Sequence, residues 1–498
     1  MTRTRHRFTI HTIASPLTFA LAIGLFGCAG PQQRVDVPDP PLVARDADQQ
    51  HVAWSQYVGE KKLAVAVDGR VEPGAYDEIS AILFSPDGGR VAYTAKSGAA
   101  WRVVVDGSAG PEYDEICSSC LRFSRDGRHF AYGARKGTRW FVILDGQAQP
   151  KNGHDFLGSI SFSPDSCRLA YMAGKGSDLA LIVDGRIGTY YDIAGEPVWS
   201  PDGKRLAYTA ARGAKRFVVT DGREGKSYDG VNTPVWSPDG KRLAYCATVG
   251  GKRLVVVDGR EGPAYDMAMV IDPIVFLRQE DRVVYAVNRG GKWFVTVEGE
   301  AGLPFDQIAQ SNFVVNPDGR GFAYVAASNG RWHLVENGRP GPGYDGIAET
   351  GPAYSADGTH IVYAARKGSK WVIVRDGAES AEYDYDQIGP GGPVFSPDAA
   401  HIVFTASKEG RWFVVVDGRQ GPAYDLVLKP YVRDEGVEYL AEREDDGYLY
   451  RCRQTFAPDR SGRSEPETGR AVETRLGRLP RTVPQPSCNC QNQKDLLK

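Results

Sequence analysis

The chain has no surplus of charge of either sign. Sixty Lys and Arg stand against 62 Asp and Glu in 498 residues, and without a basic surface to displace counterions a general nucleic-acid binder is not expected. Histidine is scarce, at eight residues. His51, His129, His154, His333, His360 and His401 are scattered, and His6 and His11 lie at the extreme N-terminus. The chain contains no H-E-x-x-H, no G-x-S-x-G and no G-x-x-x-x-G-K-[ST], so the usual motifs for zinc, acyl-transfer and nucleotide chemistry are missing. The acidic spots at Asp384, Asp386, Asp445 and Asp446 lack the Ca²⁺-loop pattern. Long apolar runs are absent too: the one at 13–26 falls short of the roughly 20 residues a membrane span needs.

What the chain does have is Gly 58, Pro 31 and a hydrophobic content of 42%, enough for a substantial core built from many short elements and tight turns. A phrase recurs about every 39 residues, as in SPDGGRVAYTA at 85–95, SPDGKRLAYTA at 200–210 and SPDGKRLAYCA at 237–247. An Asp-Gly step marks each copy at Asp68, Asp106, Asp145, Asp184, Asp221, Asp258, Asp376 and Asp417, with Glu298-Gly299 and Asn337-Gly338 filling two places. The spacings of 37 to 41 residues leave no room for an inserted domain, so the repeat sets the architecture.

Each copy holds four short apolar segments. In the copy at 82–116 the first is Ile82-Leu83-Phe84, followed by the turn Ser85-Pro86-Asp87-Gly88. The second is 91–95 and the third 101–105; Asp106-Gly107 is a hairpin signal, because both central residues of a type I′ turn need φ > 0. The fourth is expected at 113–116. Continuous runs such as Val103-Val104-Val105 and Val255-Val256-Val257 predict strands buried on both faces. A small antiparallel four-stranded sheet of that kind, repeated along a chain, is a propeller blade; a β-solenoid is the structural alternative.

The recurring SPDG-x-R-[LV]-A-Y segments resemble the WD-repeat-like propeller repeat of TolB-type proteins, over about 42–453. The resemblance implies an all-β propeller fold and leaves function open. Ser124-Arg125-Asp126-Gly127 and Ser355-Ala356-Asp357-Gly358 depart from it by losing the Pro, and Leu277-Arg278-Gln279-Glu280 loses the motif. The same repeat occurs in prolyl-oligopeptidase-like peptidases, which place their Ser nucleophile in a separate α/β-hydrolase domain; 45 residues follow Arg453, too few to hold one. Ten Asp-Gly units and a partial eleventh at 437–453, read as lacking its fourth strand, give ten to eleven repeats. These fit one large ring or two tandem rings, the latter preferred, with six units before a junction at 267–282 and five after it. Residues 454–498 read as a flexible tail.

The N-terminus reads as a processed segment. Arg3, Arg5 and Arg7 precede the apolar stretch, which ends in Leu25-Phe26-Gly27-Cys28. That ending resembles the lipobox of bacterial lipoproteins, with Phe26 larger than the pattern's usual residue. The resemblance implies removal of 1–27, lipidation of Cys28, a Pro-containing tether over 28–41, and, with Ala29 next, sorting to the outer membrane. A plain secretory signal and an uncleaved anchor helix are the alternatives.

Candidate site residues are few. Tyr-Asp follows the hairpin in eight copies, at Tyr76, Tyr113, Tyr191, Tyr228, Tyr265, Tyr344, Tyr383 and Tyr424, with His154 and Phe305 in the other two. So uniform a pattern predicts packing between blades, as do Trp101, Trp140, Trp293, Trp332, Trp371 and Trp412 at one shared place. Cys117 and Cys120 are expected to form a local disulfide, Cys246 to be a buried thiol, and Cys167 and Cys452 are undecided. Zinc held by Cys117 and Cys120 together with Cys488 and Cys490 is the weaker reading. No catalytic residue, metal or cofactor is expected. The function expected is non-catalytic binding of an envelope protein or surface ligand, with membrane contact through the lipid only. The alternatives are a lyase- or glycosidase-like enzyme with a site in the channel, or a surface carbohydrate binder.

Overall fold

Turn chemistry cuts the chain into eleven antiparallel sheets, each built from one contiguous stretch. The computed structural model describes residues 43–46, 51–58, 62–266, 271–279, 282–309, 312–389, 391–443, 448–456 and 472–478, and among these there is no helix. We number the sheets as blades 1 to 11: 43–71, 78–109, 115–154, 156–191, 193–224, 230–265, 271–301, 307–340, 346–379, 387–420 and 426–478. In blade 2, strand A is Glu78–Phe84, B is Val91–Ser97, C is Ala100–Val105 and D is Ser108–Ala109. Strand A is split in two in blades 5, 6 and 8 to 11. The A strands of blades 1 to 4 lie against one another in succession, which puts this edge of the sheet at the axis. The short D strands are exposed.

The continuous apolar runs are buried as their pattern predicts: Val103 and Val104 are 2% and 0% exposed, Val255 and Val256 1% and 0%. Burial on both faces arises because every blade is sandwiched between two others. Eleven separate apolar clusters occupy the eleven contacts between neighbouring blades.

Three expectations are corrected. First, the repeats form one ring of eleven blades rather than two rings, and blade 6 packs directly on blade 7. Ala244 and Val255 of blade 6 pack on Ile274, Val283 and Tyr285 of blade 7 as in any other pair. The ring closes where Val52, Trp54 and Ala66 of blade 1 meet Leu440 of blade 11, with Arg451 reaching Asp68 at 3.5 Å. Second, the stretch taken as tail contains Val472–Arg478, the fourth strand of blade 11, paired with Tyr448–Thr455. It is fixed by Glu473, which accepts a hydrogen bond from Tyr424 Oη at 2.7 Å and pairs with Arg443 at 2.5 Å. Third, 113–116 is a boundary rather than a fourth strand. Tyr113 bridges back to Trp101, whereas Glu115 already belongs to strand A of blade 3.

Candidate binding cleft

The motif residues are occupied in building the ring. Asp106 of the Asp-Gly turn sits at φ 51°, a left-handed conformation that Asp and Asn tolerate better than most residues. Its carboxylate accepts from Val91 N at 2.9 Å and from Arg90 Nε at 3.0 Å, tying the C–D turn to the start of strand B. Asp145, Asp184, Asp221, Asp258, Asp376 and Asp417 do the same with Arg or His. In the Ser-Pro-Asp-Gly turn, buried Ser85 donates to Asp87 and accepts from Arg90 N. The equivalent Ser–Asp bonds, joined by a backbone N–H on the carboxylate, hold Asp239 and Asp357 down at about 2.

On the opposite face, the repeated tyrosines cross between blades. Tyr76 meets Tyr93 edge-on at 6.1 Å, Tyr228 meets Tyr245 at 6.2 Å and Tyr344 meets Tyr363 at 6.1 Å. Phe305 and His154 take the same place on Tyr324 and Tyr171. The following Asp closes a turn: Asp77 accepts from Gly98 N in the B–C hairpin of blade 2 and from Lys62 of blade 1. Trp101, Trp140, Trp293, Trp332, Trp371 and Trp412 pack against the clusters between blades. These aromatics are therefore packing residues, as their uniform pattern implied.

The turn face carries a second ring of contacts, which sequence reasoning missed. The residue just before strand B is Arg or His in nine of the ten Asp-Gly units. In seven of these units it leans onto an aromatic at the end of strand A in the next blade. Arg90 lies 5.3 Å from the Phe123 ring, Arg168 5.0 Å from Trp199, Arg205 4.5 Å from Trp236 and Arg242 5.7 Å from Phe276. His51 leans on Phe84, His129 on Phe162 and His360 on Phe395. In blade 10, His401 stacks on Phe456 at 4.1 Å. Cation–π contacts of this kind contribute about 0.5–2 kcal/mol each, most where water is excluded.

The exception is blade 8, where the position is Gly321. Its would-be acceptor is Asn337, and the aromatic facing it in blade 9 is Tyr354. A cleft of about 740 Å³ opens there, lined by Glu336, Asn337, Arg339, Tyr354, His360 and Asp376 among others. The equivalent cleft between blades 3 and 4, which His129 and Phe162 line, measures about 280 Å³. Glu336 is a second departure. The residue before the Asp-Gly step is Val, Leu or Thr everywhere except Glu336 and Arg375. Glu336 Oε1 accepts from Tyr354 Oη at 2.9 Å; burial, reinforced by this carboxylate, pushes the Tyr354 phenol well above its usual range. Asp376 is already engaged by His360 at 2.7 Å and Ile361 N at 2.8 Å. The cleft thus presents an aromatic face and a carboxylate whose only hydrogen-bond partner among the described residues is a phenol. The signal for it was legible as a missing side chain in an aligned repeat.

Of the residues singled out earlier, Cys28, Cys488 and Cys490 lie outside the described residues. Cys117 and Cys120 are joined by a disulfide on strand A of blade 3. Cys246 is buried, as expected; Cys452 is buried and Cys167 exposed, and none of the three is in a disulfide among the described residues. Among the described residues no group of three His, Cys, Asp or Glu is arranged to hold a metal ion.

No family model and no curated protein matches the chain. Solved structures do. A eukaryotic initiation factor aligns at TM-score 0.39 and 11% identity over 78% of this chain and 96% of its own. The Dos1 propeller aligns at 0.32 and 12% over 67% and 92%. TolB from Acinetobacter baumannii aligns at 0.25 and 15% over 45% and 64%. At these identities the likeness concerns the fold alone.

Proposed function

We propose that this chain is an exported, lipid-anchored recognition scaffold of the cell envelope, held at the outer membrane through Cys28, and that it binds through the turn face without catalysing a reaction. The observation that carries the reading is the division of labour in the ring. The repeated polar and aromatic groups are engaged in ties within and between blades, and two departures from the repeat, Gly321 and Glu336, fall together at one cleft on one face. A rigid frame with local variation on its loops suits recognition. The test is capture from envelope extract with the wild type and a soluble Cys28→Ala form, with crosslinks mapped by mass spectrometry. A partner held by both forms and crosslinked to the turn face of blades 8 and 9 is expected. Crosslinks confined to the opposite face, or no partner with either form, overturn the reading.

A further inference from the structure

The ring supplies its own control for the cleft between blades 8 and 9. At four other contacts the same place is filled by a guanidinium from the chain itself, lying over the next blade's aromatic: Arg90, Arg168, Arg205 and Arg242. At the contact between blades 9 and 10 a guanidinium arrives from the other side, since Arg375, at the position of Glu336, lies 5.3 Å from the Phe395 ring. Only between blades 8 and 9 is the aromatic, Tyr354, flanked by a glycine on one side and a carboxylate on the other. Arg339, also on the cleft wall, is the one guanidinium present, and no ion pair between it and Glu336 is found among the described residues.

We infer that this cleft binds a guanidinium group brought by a ligand, laid over Tyr354 and paired with Glu336, in the place the chain's own arginines fill elsewhere. The inference rests on the recognition reading above and gives it a ligand chemistry. A planar guanidinium satisfies both walls at once, stacking on the ring and donating in parallel to a carboxylate, which an ammonium cannot do. The imidazole of His360 and the Asp376 carboxylate are already paired with each other, so Glu336 is the acceptor left to set the charge of the ligand. The space exceeds that of the filled cleft between blades 3 and 4, about 740 against 280 Å³, and so accommodates a side chain entering from outside.

The test is calorimetric titration of the full chain with agmatine and with an acetylated, amidated Ala-Arg-Ala peptide, using cadaverine and the Ala-Lys-Ala peptide as ammonium controls. Saturable binding of at least one guanidinium probe is expected, at least tenfold tighter than its ammonium control. It should weaken at least tenfold in Glu336→Gln and disappear in Gly321→Arg, which refills the place from within. Gly321 has an ordinary backbone φ, although an added Cβ would lie 3.0 Å from Asn337 Oδ1. Thermal unfolding checks that this variant folds, and Tyr354→Ala serves as a second block if it does not. Tighter binding of the peptide identifies a protein segment as the source, and tighter binding of agmatine a free metabolite; both support the inference. No saturable binding, equal affinity for the ammonium controls, or binding unchanged in Glu336→Gln overturns it. If that happens while an envelope partner still crosslinks to this face, the scaffold reading stands and only the guanidinium assignment falls.

Discussion

The clefts between blades 3 and 4 and between blades 8 and 9 are built from equivalent positions and have opposite characters. In the first, His129 bonds Asp145 at 2.8 Å and leans on Phe162, and Leu144 supplies an apolar wall. In the second, Gly321, Asn337, Tyr354 and Glu336 take those four places. The first set of side chains satisfies itself; the second leaves a stacking face and a carboxylate to an outside group. Function in a repeat fold is thus found where a copy stops making the contact its siblings make, and a residue common to all copies is better understood as scaffold.

The comparison can be broken most severely by emptying an ordinary contact. Phe404 is 1% exposed between blades 9 and 10, and Phe404→Ala should cost about 3–5 kcal/mol of stability, read by denaturant unfolding. Loss of the same size at Tyr354, which is only half-buried, would mean that the open cleft is a structural contact like the others. A sharper version transplants the site. His129→Gly with Leu144→Glu should create guanidinium binding between blades 3 and 4, with affinity within about tenfold of the natural cleft (about 1.4 kcal/mol), measured by the same titration. Failure of a folded double variant to bind would show that the two clefts differ in more than these places.

A smaller effect is expected at His154, which stands where eight copies have Tyr. Burial, aided by nearby Arg139, holds its pKa below the usual value. The unfolded residue takes up a proton near pH 6.5 and the folded one resists it, so protonation favours the unfolded chain and stability falls as pH drops below about 6.5. His154→Tyr should stabilise by about 1 kcal/mol, more at pH 5.5 than at pH 8 by thermal melting. An equal gain at both values would show that titration is not the cause. The smallest effect concerns Asp239, held at about 2 by Ser237 and Lys241 N. A carboxylate depressed in the folded state stabilises above its unfolded value near 3.9 and loses that contribution as pH falls toward about 2. Asp239→Asn should therefore lower stability slightly at neutral pH and flatten the acid limb of the stability curve.

Much of the fold was legible because each copy states it again: turn residues, the Asp-Gly step and continuous valine runs agree about every 39 residues. The roles of Tyr76 and Trp101 were legible for the same reason. The number of rings was not, because the closing contact of Trp54 with Leu440 joins residues nearly 390 positions apart and has no local signature. Val472–Arg478 was missed because a polar stretch separates it from its partner strand, so no hairpin signal points to it. The boundary at Tyr113 was misassigned because the chain stays extended as it passes from one blade into the next, leaving no turn to mark the change. The cleft was hidden because an absent side chain has no composition; only Gly321 set against nine siblings reveals it.

Because no blade mixes strands from the two ends of the chain among the described residues, closure there rests on side-chain contacts. Ten of the eleven contacts join neighbours in sequence and can form in order as the polypeptide leaves the ribosome; the last waits for blade 11. Until then the product is an arc whose two ends are complementary apolar surfaces. Such ends can meet each other or the opposite end of a second arc, a head-to-tail association with no built-in limit. Ring closure is then a race between an intramolecular event and a concentration-dependent one. Diluting the refolding protein should raise the yield of monomer, and a charge placed at Leu440 should tip the outcome towards open chains.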